Sequence, residues 1–196
     1  MAIERRRVIV ISGTPGTGKT TLAKQLSNAI GADYLSLTRY VKEHGLHRGV
    51  DRKRRTKIVD LARTRTSLQR RLANTRAWIV VDSHLPEGII PKKFARVAVV
   101  LRCHPRILEH RLRKKRWGAR KIRENVLAEI LDSCLLAAIN YYGTRRTIQI
   151  DTSNKSTRAC VNAVQSALTG KHARRQAKID WLRKLENDGS LDRFLR

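Results

Sequence analysis

The stretch RVIVISGTPGTGKT, residues 7–20, decides the fold. Val8 to Ile11 is an unbroken β-branched run, which reads as a strand buried on both faces, as in a parallel sheet. Gly13 to Thr20 then matches the spacing G-x-x-x-x-G-K-[ST] of a phosphate-binding loop. Each part of that pattern has a physical reason. Glycines let the backbone approach a phosphate and turn its N–H groups inward. A helix opening at Thr20 brings the positive end of its dipole to the same place. Lys19 is long enough to reach β- and γ-phosphates, and the Thr20 hydroxyl suits Mg2+. Gly13, Gly16, Thr17, Gly18, Lys19, Thr20 and Thr21 are therefore expected to hold a nucleotide, with ATP and Mg2+ as the ligands.

Outward from the loop, short β-branched runs alternate with helical patterns, the signature of βαβ units. Leu22, Leu26 and Ile30 recur at helical spacing after Thr20, and Tyr34–Leu37 reads as a second strand. Gly45 and Gly49 break the next segment, and Asp51 to Ala73 reads as helical and very basic. Ala77–Val81, Val97–Leu101 and Thr147–Ile150 supply three more strands. Pro105 opens a helix carrying Ile107, Leu108 and Leu112. Two apolar stripes, Ile122, Val126, Ile130 and Leu127, Leu131, Leu135, predict one broad, well-buried helix. Thr157–Leu168 closes the pattern, with Gly170 as its stop. The fold class is α/β: a P-loop NTPase with a parallel sheet flanked by helices, residues 1–170. Residues 171–196 form a basic helical extension, in which Ile179, Leu182 and Leu185 mark an amphipathic helix over Ala173–Glu186.

Composition narrows the class further. Lys and Arg number 43 against 16 Asp and Glu among 196 residues, a formal net charge of +27. Such an excess calls for an anionic partner, and RNA or DNA leads, because clustered Lys and Arg release counterions from a phosphate backbone. The competing reading is adaptation to a hot or salty cytoplasm. No apolar run approaches the ~20 residues of a bilayer span, which excludes a transmembrane protein. Three scattered cysteines without a Cys-x-x-Cys pair suit neither a disulfide framework nor a zinc site, and fit a reducing, cytoplasmic setting.

Two further regions carry chemistry. Asp82 ends the third strand, at the edge where open parallel sheets bind ligands, and can hold Mg2+ through its water shell. It can equally cap the turn that follows. His84 is either a solvated loop residue or the group that orients a water or hydroxyl. The basic stretch around Arg102, Arg106, Arg111, Lys115, Arg116 and Arg123 lies between two helices. Cations closing over a transferring phosphoryl carry much of its rate, so this is a candidate lid; a solvated, RNA-facing charge run is the other reading.

With the loop at Gly13–Thr21, Asp82-Ser83-His84, Val97–Arg102, Lys115-Arg116-Trp117 and Lys121…Asn125 together, the chain resembles the adenylate kinase isoenzyme six (CINAP) family over about residues 8–169, in an archaeal form. The resemblance implies an adenylate-kinase-like fold with a monophosphate-binding arm at about 36–59 and a short lid at about 114–124. It implies nucleoside monophosphate kinase and ATPase activity, with AMP or another monophosphate as acceptor. It also implies a role in maturation of the small ribosomal subunit and its rRNA, with a small-subunit ribosomal protein as partner. Catalytic roles then fall to Lys19, Asp82, His84 and Arg116, with Thr20 and Asp82 at the metal and Lys115 and Arg116 on the phosphates. Two departures stand out. Lys115 occupies the place of the family's lid arginine, and Arg116 that of its glycine; a one-residue register shift lets Arg116 supply the planar fork that a lysine lacks. The arm, often acidic in relatives, here holds Arg52-Lys53-Arg54-Arg55.

Overall fold

The structure, a computed structural model, describes residues 7–51, 56–84, 88–169 and 179–195. In chain order these form β1 (Val8–Gly13), α1 (Lys19–Ile30), β2 (Asp33–Ser36), α2 (Leu37–Glu43), β3 (His47–Asp51), β4 (Thr56–Val59), α3 (Leu61–Ala73) and β5 (Ile79–Asp82). There follow β6 (Ala95–Arg102), α4 (Pro105–Lys114), α5 (Ala119–Ile130), α6 (Ser133–Tyr142), β7 (Thr147–Asp151), α7 (Thr157–Leu168), α8 (Trp181–Asn187) and α9 (Asp192–Leu195).

β1 lies at the centre of a five-stranded parallel sheet of order β2-β5-β1-β6-β7, and all of its residues are buried. Its side chains alternate between two cores. Val8 and Val10 pack with Leu68, Val100 and Tyr142 under α3 and α6, while Ile9 and Ile11 pack with Leu22, Leu26 and Val164 under α1 and α7. Register aligns Ile11 with Asp82 and Gly13 with Leu101, so the carboxyl ends of β1, β5 and β6 open at one edge of the sheet. The α/β class and the parallel sheet flanked by helices are as the sequence predicts.

Two local readings change. Of the segment expected to be helical from Asp51, Thr56–Val59 is a strand, β4, paired antiparallel with β3, and α3 begins only at Leu61. The reason is local: Asp60 accepts the Arg63 N–H at 3.0 Å as an N-cap, which fixes the helix start. The run Arg52–Arg55 lies outside the described residues. The single helix expected across residues 122–135 is two. Asp132 sits at φ 55°, in the left-handed region, and turns α5 into α6. Leu131 is consequently exposed rather than buried.

The described part of the C-terminal segment packs on the domain. Leu185 and Phe194 share a third core with Cys103, Leu108, Leu112, Ile122, Val126 and Ile130, beneath α4 and α5. Of the helix expected over Ala173–Glu186, residues up to 178 lie outside the described residues, and α8 begins at Trp181, capped by Asp180, which accepts the Arg183 N–H at 3.0 Å.

Leu185 is fully buried in that core. Leu185→Ala is expected to lower the unfolding free energy by about 2–5 kcal/mol, in one cooperative urea transition followed by circular dichroism. A loss under about 0.5 kcal/mol would place the segment outside the cooperative unit.

Candidate phosphate-binding site

The loop between β1 and α1 is packed against the sheet edge at two glycines. Gly13 has φ 134°, and a Cβ there would stand 2.5 Å from the Leu101 carbonyl oxygen. Gly16 has φ 96°, and a Cβ would meet the Leu108 and Leu112 side chains at 2.9 and 3.0 Å. Any larger residue would push the loop off β6 or off α4. The Thr14 carbonyl gathers the loop's interior bonds: it accepts from Thr17 N at 3.2 Å, Thr17 Oγ1 at 2.9 Å and Lys19 Nζ at 3.1 Å. Lys19 Nζ also donates to the Gly13 carbonyl at 2.7 Å. The Thr17 side chain is buried within the loop, so its hydroxyl braces the cradle. Gly18 is the N-cap of α1 with no side chain capping it, which leaves the first-turn N–H groups without an intrahelical acceptor. Thr20 and Thr21 are exposed beside them.

Burial pushes the Lys19 ammonium down to about 8, against the opposing pull of Cys134 and Asp82. Asp82, buried at the end of β5, accepts the Tyr34 hydroxyl at 2.9 Å. Burial and this bond raise the Tyr34 phenol to about 12, and Thr20 and Ser36 act on the same hydroxyl in the opposite sense. Tyr34 thus stands between the two oxygens expected at the metal, a role that its place in a strand-like run did not signal. Thr20 and Asp82 offer hard oxygen ligands of the kind Mg2+ takes, usually alongside phosphate oxygens and water. Among the described residues no three His, Cys, Asp or Glu side chains converge as a metal cage. His84 is exposed, yet its imidazolium is disfavoured by partial burial against the loop and by the Lys19 charge, while a hydrogen bond to the Gly13 backbone works the other way.

The basic stretch sorts into separate groups. Arg102 is 1% exposed: its Nε donates to Glu129 Oε1 at 2.8 Å and its Nη2 to Asp132, so it is a core ion pair rather than a free phosphate ligand. Arg111 donates from Nη2 to the Thr152 and Ser153 carbonyls at 2.8 and 3.1 Å. Arg113 pairs with Glu109 and Arg120 with Glu124 on the surface. Lys114, Lys115 and Lys155 line a cavity of about 420 Å3 that opens beside Gly16, Thr17 and Thr21. Arg116, at φ 56°, is not in that lining, and it is the Lys115 charge that is felt at Lys19. The chain turn that follows α4 therefore presents Lys115, not Arg116, to the loop. Sequence reasoning passed over Thr152, Lys155 and Glu129. Thr152 Oγ1 donates to the Thr17 carbonyl at 3.0 Å, which stitches the β7–α7 turn to the loop.

A family model described as an AAA domain matches residues 9–132. A protein of Pyrococcus abyssi named "Putative adenylate kinase" is 36% identical over 174 residues, 89% of this chain and 91% of that one. An Archaeoglobus fulgidus protein of the same name is 31% identical over 193 residues, 96% of this chain and 98% of its own, so the likeness reaches into residues 171–196. Among solved structures, shikimate kinase from Acinetobacter baumannii superposes with a TM-score of 0.59 at 14% identity, covering 87% of this chain and 97% of that one. A gluconokinase from Sinorhizobium meliloti gives 0.53 at 16% identity, covering 86% and 94%. At such identities the likeness is one of fold.

An anion that docks on the loop favours protonated Lys19. Because the free ammonium titrates near 8, tripolyphosphate binding at pH 9 is expected to take up a proton, and affinity to fall as pH rises through 8. Calorimetry in buffers of different ionisation heat measures the uptake. Binding that is proton-neutral at pH 9 would mean that Lys19 does not engage the anion.

Proposed function

The chain belongs to the AAA domain family, and within it we propose an ATP-dependent nucleoside monophosphate kinase, which moves the γ-phosphoryl of ATP to AMP to give two ADP, with an accompanying ATPase activity. The observation that carries this reading is the placement of Lys19, whose Nζ lies on the Gly13 and Thr14 carbonyls at the open N-terminus of α1, with Asp82 aligned on the neighbouring strand. The relatives' name points the same way.

Phosphoryl transfer asks the protein mainly to position reactants and spread charge. A phosphate oxygen of AMP is already ionised near neutrality and attacks the γ-phosphorus as the bond to the β–γ bridging oxygen breaks, with ADP leaving; no general base is required. Lys19 and the first-turn N–H groups of α1 stabilise the charge on the transferring oxygens. Thr20 and Asp82 would hold Mg2+, which neutralises phosphate charge when bound. Lys115, and Lys114 at the end of α4, supply lid cations within the segment 114–124, and the arm over 36–59 takes the monophosphate. Hydrolysis needs a water aligned in line with the departing ADP. His84 is the group for this, because its suppressed imidazolium leaves a neutral ring able to accept a hydrogen bond from water.

The finer reading is a member of the adenylate kinase isoenzyme six kind, cytoplasmic, acting in maturation of the small ribosomal subunit with RNA and a small-subunit ribosomal protein as partners. Its supports are Asp82-Ser83-His84, Lys121…Asn125, the free thiols of Cys103 and Cys160, and the net charge of +27. A second reading, a nucleotide-switched RNA-binding factor with little kinase turnover, is favoured by Lys115 where a bidentate arginine would serve transfer better.

Coupled measurement of ADP formation with and without AMP separates the two. Lys19→Ala is expected to cut AMP-dependent turnover by at least about 100-fold in a folded protein; full activity would overturn the loop assignment. His84→Ala is expected to lower ATP hydrolysis more than AMP phosphorylation. Equal losses would show that His84 supports the site's structure rather than the water.

A further inference from the structure

Glu129 lies on α5, outside every motif that singles out the site, and is 1% exposed. Four donors meet its carboxylate. Thr14 Oγ1 donates to Oε2 at 2.6 Å; Arg102 Nε at 2.8 Å, Cys103 N at 3.0 Å and Trp181 Nε1 at 3.2 Å donate to Oε1. We propose that Glu129 is a positioning residue for the phosphate loop and that Trp181 helps to set it, so that the C-terminal helix α8 shapes the nucleotide site from behind. The inference rests on the reading of that loop as the seat of ATP.

The physical case has three steps. A buried carboxylate is tolerated only where it is paired and hydrogen-bonded, and Arg102, itself fully buried, supplies the countercharge from the end of β6. With Oε1 held by three donors, Oε2 has a fixed position, and the Thr14 hydroxyl is fixed with it. The Thr14 carbonyl is in turn the acceptor on which Thr17 N, Thr17 Oγ1 and Lys19 Nζ converge. A continuous series of hydrogen bonds therefore runs from Trp181 through Glu129 and Thr14 to Lys19. Trp181 is not a mere space-filler in this series. It is 4% exposed, a buried indole N–H needs an acceptor, and Glu129 provides it. The same ring stands edge-on to His104, the N-cap of α4, with centroids 5.3 Å apart, so Trp181 braces both elements on which the loop rests.

The test uses the full chain with Trp181→Phe, which removes the N–H and keeps an aromatic ring, Thr14→Val, which removes the hydroxyl and keeps the β-branch, and the double variant. Two quantities are read: amide exchange of residues 13–18 without nucleotide, and the dissociation constant of a non-hydrolysable ATP analogue with Mg2+. Each single change is expected to speed loop exchange and weaken binding by about fivefold, the worth of one ordinary hydrogen bond. Exchange in β5 should be unchanged. The double variant should match the larger single effect, because both substitutions cut one series. Unchanged loop exchange in Trp181→Phe, or effects that simply add in the double variant, would overturn the proposal. Failure of the wild-type chain to bind the analogue would overturn the kinase reading instead, and loop exchange would still decide the role of Glu129.

Discussion

The buried ion pair between Arg102 and Glu129 is the constraint on which the rest of the molecule turns. Two unit charges in the interior must hold each other and fill their remaining hydrogen-bonding capacity, or the fold loses several kcal/mol. Arg102 ends β6, the strand beside β1, and Glu129 stands near the end of α5, so satisfying the pair fixes that helix against the sheet edge. Asp132 takes a further Arg102 nitrogen from its left-handed turn, which is why α5 ends there and α6 leaves in a new direction. A loop built mainly of glycine and threonine has little packing of its own. It takes its shape from this charged joint below and from Leu108 and Leu112 beside it.

The sheet provides the other half of the geometry. Parallel strands bring the carboxyl ends of β1, β5 and β6 to one edge, and chemistry gathers there because side chains from separate βα turns can converge without long loops. Lys19 and Asp82 are 63 residues apart in number yet lie on adjacent strand exits, through the pairing of Ile11 with Asp82. Burial at this edge has an electrostatic result: Lys19 loses hydration and resting stability as a cation, and so holds a favourable interaction in reserve for an incoming polyphosphate.

Much of this was legible in the sequence, for identifiable reasons. A phosphate loop needs glycine at fixed offsets and a lysine at one place, so residues 13–20 name themselves; the strand before and the helix after follow from periodicity. Asp82 stands out because it ends an apolar run. What escaped shares a different property. Glu129 and Tyr34 act through partners 115 and 48 residues away, and nothing in local spacing distinguishes a buried glutamate in an amphipathic helix from a solvated one. The pairing of β3 with β4 was hidden because each strand is only four or five residues long, too short for alternation to stand out from the helical pattern that follows. Lys115 lines the cavity beside the loop and Arg116, at positive φ, does not, a difference that no residue-type preference foretold.

The bond between Trp181 and Glu129 also bears on the order in which the molecule is made. Synthesis runs from the N-terminus at about 5–20 residues per second. The strand and loop of residues 8–18 are made before the carboxylate that braces them, which comes more than a hundred residues later, and its indole partner comes later still. A nascent chain can thus fold its central strands and carry every residue of the phosphate motif while the cradle is still incomplete. The hydrogen-bonded series behind the loop closes only once residue 181 has been made, well after the motif itself.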